Sequence, residues 1–274
     1  MSDSTPKMCE NCTTGGILAG EPKGTMIELG GLDCYLAEGK STEKAIVLGT
    51  DFFGLGIPNP KLLADHISST TGFPVYVPDF LEGVYPPQDR LAMIEEPIAD
   101  KWLFTKVYLK AKFIASFLFS VGPGFLKRLD FDAALPKAEK VIDELRAVKG
   151  YQRVGWVGYC WGATVGTYLM PSPDAIDVYV SAHPAANSIE KFKALTKPFA
   201  LILPQEDGQF DGVKDKALKM LAERKAEGIP FELYQHGSDT VHGFAARPNV
   251  KLPGVKEAFD LSLKQTTDWF EKYL

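Results

Sequence analysis

The chain has 274 residues, 45% of them hydrophobic, and a formal charge of -5 with acidic and basic residues mixed along its length. That is enough apolar material for one substantial core. It carries no concentrated positive field of the kind that holds a nucleic-acid backbone, which excludes nucleic acid as an expected partner. Four cysteines, at positions 9, 12, 34 and 160, are too few and too unevenly placed for a disulfide framework and suit a reducing compartment.

The chain opens on a polar tail, residues 1–20, and a single domain is expected over residues 21–274. The opening "MSDSTPKMCENCTTGG" has neither the basic start nor the apolar core of a secretory signal, which points to the cytosol. Cys9 and Cys12 form a lone CxxC and raise a zinc or thiol-redox alternative. With no second pair at ligand spacing and no preceding strand, the expectation is no metal and no organic cofactor.

"TMIEL" and "LDCYLA", joined through Gly30 and Gly31, read as a hairpin. From "AIVLGT" (45–50) onward, short apolar runs alternate with amphipathic helical segments. The further runs are "PVYVPD", "VGWVGY", "DVYVSAH", "FALILPQ" and "FELYQH". Helices are predicted over "KLLADHISST", over "ALPKAEKVIDELRAVKG" with Pro136 near its start and Gly150 at its end, and over 211–228 with Asp211 as cap and Gly228 as stop. A last helix covers "VKEAFDLSLKQTTDWFEKYL". The most apolar stretch, "FIASFLFSVGPGFL" at 113–126, is too short for a membrane span and contains Gly-Pro-Gly. It reads as a buried helix or as part of a flap over residues 102–126, and no membrane contact is expected.

Six buried strands alternating with helices define an α/β class: a mostly parallel sheet with helices on both faces. Such sheets hold their sites at the carboxyl ends of the strands. "VGYCWG" places Cys160 between Gly158 and Gly162 where a strand ends and a helix begins, the elbow that presents a nucleophile in α/β-hydrolases. A helix N-terminus favours the thiolate, and a nearby imidazolium favours it further.

An imidazole must come from His66, His183, His236 or His242. His66 lies within a helical segment. His242, between the last strand and the last helix, occupies the place required by the chain order nucleophile, acid, histidine. His183, ending "DVYVSAH", is the runner-up. Glu206, Asp207 and Asp211 all follow "FALILPQ", and Asp207 is preferred because a short carboxylate in a turn can hold the imidazole Nδ1–H. Oxyanion donors would be the amides of Trp161, directly after the nucleophile, and Phe52, in the loop after "AIVLGT".

With "TDFFG", "VPDFLEG", "GYCWG", "AHP", "PQEDGQF" and "HGFAAR" in order, the chain resembles the dienelactone hydrolase (carboxymethylenebutenolidase) family, and its "GEPKG" lead-in resembles the fungal-type branch. The resemblance implies a Cys160, Asp207, His242 triad acting on a small ester or enol-lactone through a thioester. It further implies that Asp51 stands where the family commonly has a glutamate, and that Arg247 matches one of two arginines holding a substrate carboxylate. Gly83 stands at the place of the other, and Arg90, although near in sequence, does not match it. A non-catalytic member that binds a ligand or partner protein in the same pocket is the alternative reading. Oligomeric state is left open.

Overall fold

Glycine at both turn positions lets β1 (Thr25–Leu29) fold back on β2 (Leu32–Ala37), with φ of 62° at Gly30 and 77° at Gly31. This is a computed structural model, describing residues 16–86, 124–125, 127–172, 174–184, 189–237 and 239–274. Cys9, Cys12 and all of the expected flap except Gly124 and Phe125 lie outside the described residues.

β2 runs antiparallel to β4 (Val75–Pro78), and the rest of the sheet is parallel: β4, β3 (Lys44–Gly49), β5 (Arg153–Tyr159), β6 (Val178–Ala182), β7 (Phe199–Leu203) and β8 (Phe231–Gln235). The order is β1-β2-β4-β3-β5-β6-β7-β8. β4, β6 and β7 are buried at every position, as their unbroken apolar runs require when helices cover both faces.

Among the described residues, five α-helices supply that cover: α1 (Asn59–Thr71), α2 (Phe131–Ala147), α3 (Trp161–Leu169), α4 (Lys214–Ala226) and α5 (Pro253–Tyr273). One core layer joins Val141, Ile142 and Leu145 of α2, Val165 and Leu169 of α3 and Leu221 of α4 to one sheet face. The opposite layer joins Leu63 and Ile67 of α1 and Phe259, Leu263 and Phe270 of α5 to the other. Each such side chain contributes about 1.5–3 kcal/mol by leaving water.

Two helix starts differ from expectation. α2 begins a turn before Pro136, because the Asp130 carboxylate accepts the Asp132 amide at 3.1 Å and caps the end earlier. α4 begins without a side-chain cap: the Asp211 carboxylate instead accepts the amide of Asp207 at 3.0 Å. Asp211 therefore braces the loop of the candidate acid rather than the helix. No helix among the described residues is long and apolar enough to cross a membrane.

Candidate active site

Cys160 links β5 to α3 with φ 52° and ψ -112°, a conformation an L-residue holds only under strain. The flanking glycines are sterically required. A Cβ on Gly158 would stand 2.4 Å from the Ala163 Cα, and one on Gly162 would stand 2.2 Å from the Gly49 carbonyl carbon. Hydrogen bonds hold the turn from several sides. Cys160 N–H donates to the Ala182 carbonyl at 3.1 Å and Gly162 N–H to the Thr50 carbonyl at 2.9 Å, while the Trp156 indole donates to the Gly162 carbonyl at 3.1 Å. The thiol-bearing residue is buried, at 2% exposure.

Trp161 opens α3, where the first amides have no intrahelical acceptor. Its indole donates to the Leu129 carbonyl at 2.8 Å, and its ring stacks on Phe131. Phe52 lies in the buried turn after β3, in which the Asp51 carboxylate accepts the Phe53 amide at 2.9 Å. The Gly162–Thr50 bond stitches that turn to the one after Cys160. The segments carrying the two expected oxyanion amides are thus tied together through the backbone.

After β7, Asp207 is buried and both its carboxylate oxygens lie near His242 Nδ1, at 3.0 and 2.9 Å. The same carboxylate accepts the Gln209 amide at 3.1 Å, which aims it. Donation of Nδ1–H to Asp207 makes Nε2 the basic nitrogen of His242. The two loops are joined by the Gln205 amide donating to Thr240 Oγ1 at 2.8 Å and by the Asp239 amide donating to Gln205 Oε1 at 3.0 Å.

The remaining histidines separate clearly. His66 is exposed on α1, and His236 meets Gln265 at 2.9 Å. His183 packs edge to face against His242, ring centroids 5.0 Å apart, with φ 37°. Among the described residues neither of its ring nitrogens has a hydrogen-bond partner. Burial, then the neighbouring His242 and Arg247, holds its pKa well below the usual histidine value, so it stays neutral.

Asp51 and Arg247, distant in sequence, form a buried ion pair with Arg247 Nε donating to Asp51 at 2.5 Å. The guanidinium lies 4.6 Å above the Phe53 ring. Gly83 takes φ 75° with open space around its Cα, and its amide donates to Asp79 at 2.7 Å. Sequence reasoning missed Asp79, which also accepts the Leu81 amide and the Tyr85 hydroxyl, and Asn59, whose polar atoms tie three segments together. An asparagine between two prolines just before the predicted helix was the available signal for the second.

A sheet that holds a strained residue at the strand-to-helix turn after β5, and a buried carboxylate–imidazole pair after its following strands, defines the α/β-hydrolase class. Over residues 32–274 the chain matches the dienelactone hydrolase family; it belongs to that family and is an ester hydrolase by class. It is similar to Hydrolase pyvD of Aspergillus violaceofuscus, 29% identical with 100% of this chain and 99% of the relative covered. It is also similar to the human carboxymethylenebutenolidase homolog, 26% identical with 84% and 83% covered. Among solved structures, the dienelactone hydrolase of Anabaena variabilis superposes with a TM-score of 0.54 at 13% identity, covering 93% of this chain and 98% of that one. The Pyrococcus furiosus esterase Pf2001 superposes with a TM-score of 0.58 at 12% identity, covering 94% and 95%. Both structures share the fold.

Proposed function

We propose that the protein hydrolyses a small ester or enol-lactone through a Cys160 nucleophile, with His242 as proton shuttle and Asp207 as the group that orients it. The observation that carries this reading is the buried His242–Asp207 contact at the same sheet edge as the strained Cys160 turn. The Cys160 thiolate adds to the substrate carbonyl. The amides of Phe52 and Trp161 receive the oxyanion, each donor contributing about 3 kcal/mol to the transition state. Collapse expels the alcohol or enol oxygen, which takes its proton from the His242 imidazolium, and leaves a thioester. Water, deprotonated by His242, then cleaves the thioester, releasing the acid and restoring the thiol.

Arg247 is the residue that would hold a substrate carboxylate, through directed N–H donors rather than net charge, because its buried partner Asp51 fixes its orientation and offsets its charge. With Gly83 at the position of the family's second arginine, the substrate is held at one point, without the two-armed grip that would select a dicarboxylate.

The test is turnover of three compounds by the wild type and by Cys160→Ala: an activated acetate ester, a simple lactone and a carboxylated dienelactone. The expected result is a loss of about 10⁴-fold or more in the variant on whichever compound the wild type cleaves. Equal rates in the two proteins would remove Cys160 from the reaction.

A further inference from the structure

Asn59 is fully buried at the first position of α1, and every polar atom of its side chain has a partner. Its Oδ1 accepts the Leu18 amide at 3.0 Å, while Nδ2 donates to the Gly16 carbonyl and to the Ala246 carbonyl, each at 3.0 Å. Gly16 N–H in turn reaches the Arg247 carbonyl at 3.3 Å. One side chain therefore joins an N-terminal strap, a helix start and the turn that runs from His242 to Arg247.

Arg247 N–H and Ala246 N–H close back on the Gly243 carbonyl at 2.8 and 3.0 Å, which shapes the turn. His242 and Arg247 are held through their side chains by Asp207 and Asp51, and Asn59 adds a hold on the backbone between them, at Ala246. Asn59 also lines a small cavity with Thr50, Asp51, Tyr159 and Arg247, so its loss would open space beside the Asp51–Arg247 pair. An asparagine buried with both amide hydrogens and its oxygen satisfied is a rigid connector, because breaking any one bond leaves a buried polar group unpaired.

We propose that Asn59 is a positioning residue for Arg247 and His242, and that residues 16–18 complete the active site through it. The proposal rests on the functional reading above, in which Arg247 faces an anionic substrate and His242 moves the proton. The strap thus belongs to the working enzyme, although it contributes no group to the chemistry. Displacing the turn shifts the guanidinium first, since Arg247 is adjacent to the anchored Ala246, and the imidazole less.

Asn59→Asp is the direct test. It preserves shape and the acceptor for Leu18, and a carboxylate at a helix N-terminus suits α1. It replaces the two donated hydrogen bonds by a negative oxygen facing two carbonyls. The measurement is kcat and KM, in the full-length protein, for a carboxylated ester and for a neutral ester of the same leaving group, over a pH series and well below the melting temperature. The expected result is a fall of about 10- to 100-fold in kcat/KM for the anionic ester. The fall lies mainly in KM, with a smaller loss on the neutral ester.

Leu18→Pro removes the N–H that Oδ1 accepts, together with the packing of the Leu18 side chain against the core, and substitutes no residue of the site itself. It is expected to shift the anionic-to-neutral ratio in the same direction, by a smaller factor. An unchanged ratio and superimposed pH profiles in both variants overturn the proposal and leave Asn59 a purely structural residue. Failure of the underlying reading is recognised separately, because Cys160→Ala would then retain turnover on both esters.

Discussion

Two buried aspartates at the carboxyl edge of the sheet face two different partners. Asp207 meets the imidazole of His242, and Asp51 meets the guanidinium of Arg247. The surroundings differ accordingly. Asp207 sits in a loop held by side-chain bonds from Thr240, Gln205 and Asp211, an arrangement that aims one ring. Arg247 is packed over Phe53 and anchored by backbone carbonyls, an arrangement that immobilises one charge. In the proposed function the first arrangement suits a base that must keep one orientation, and the second suits a donor group that must stay in place.

The sharpest way to break this comparison is Asp207→Asn. An amide can present its N–H to Nδ1 and stabilise the wrong tautomer, so kcat is expected to fall about 10³- to 10⁴-fold, while the melting temperature moves little. A melting temperature that collapses with the activity would mean that the pair serves the fold as much as the chemistry.

Arg247→Ala is expected to act the other way round, costing about 3–5 kcal/mol of stability in denaturant unfolding, because Asp51 is left as a buried unpaired charge. Asp51→Asn combined with Arg247→Met should cost clearly less than the sum of the single changes. Additive costs would show the two residues to be energetically independent despite their contact.

Thr240→Val tests the bracing of the Asp207–His242 pair. It removes the acceptor of the Gln205 amide in a part-buried bond, at about 0.5–1.5 kcal/mol, with a modest loss of kcat and no change in the preference for anionic esters.

A gentler handle is pH. His183 and His236 both have folded-state pKa values below the usual 6.5, chiefly through burial. The unfolded chain therefore binds more protons as pH falls through about 6.5, and their contribution to stability is present above that pH and lost below it. His242 and Arg247 both disfavour the charged form of His183, in addition to its burial. His183→Phe should flatten the decline in melting temperature between about pH 7.5 and about pH 5.5. An identical decline in the variant would assign the acid sensitivity elsewhere.

Much of this molecule can be read along the chain. The six strands from β3 to β8 are visible as short apolar runs and β1 and β2 as a hairpin; β4, β6 and β7 are buried at every position, as a sheet covered on both faces requires, whereas the edge strands β1 and β8 are largely exposed or half-buried. The parallel sense of β3 to β8 follows from the connections between them. The elbow was visible because its steric demand is local: Gly158 and Gly162 are required by atoms only a few residues or one strand away. Helix starts were less visible, since Asp130 and Asp211 are equally good caps in sequence and only their partners distinguish them.

Cys160 and the strand ends of the site are thus properties of the sequence by itself, written in the spacing of glycines and apolar residues. Which imidazole faces Asp207 was decided by the tertiary structure. His183 and His242 both follow strands at the same sheet edge, and loop geometry turns one ring toward the carboxylate and seals the other behind it. The pairing of Asp51 with Arg247, and the clasp of Asn59 on residues 16–18 and Ala246, were also decided there. Those contacts join residues far apart in the chain, and no local preference encodes an interaction whose partner arrives only when the sheet has closed.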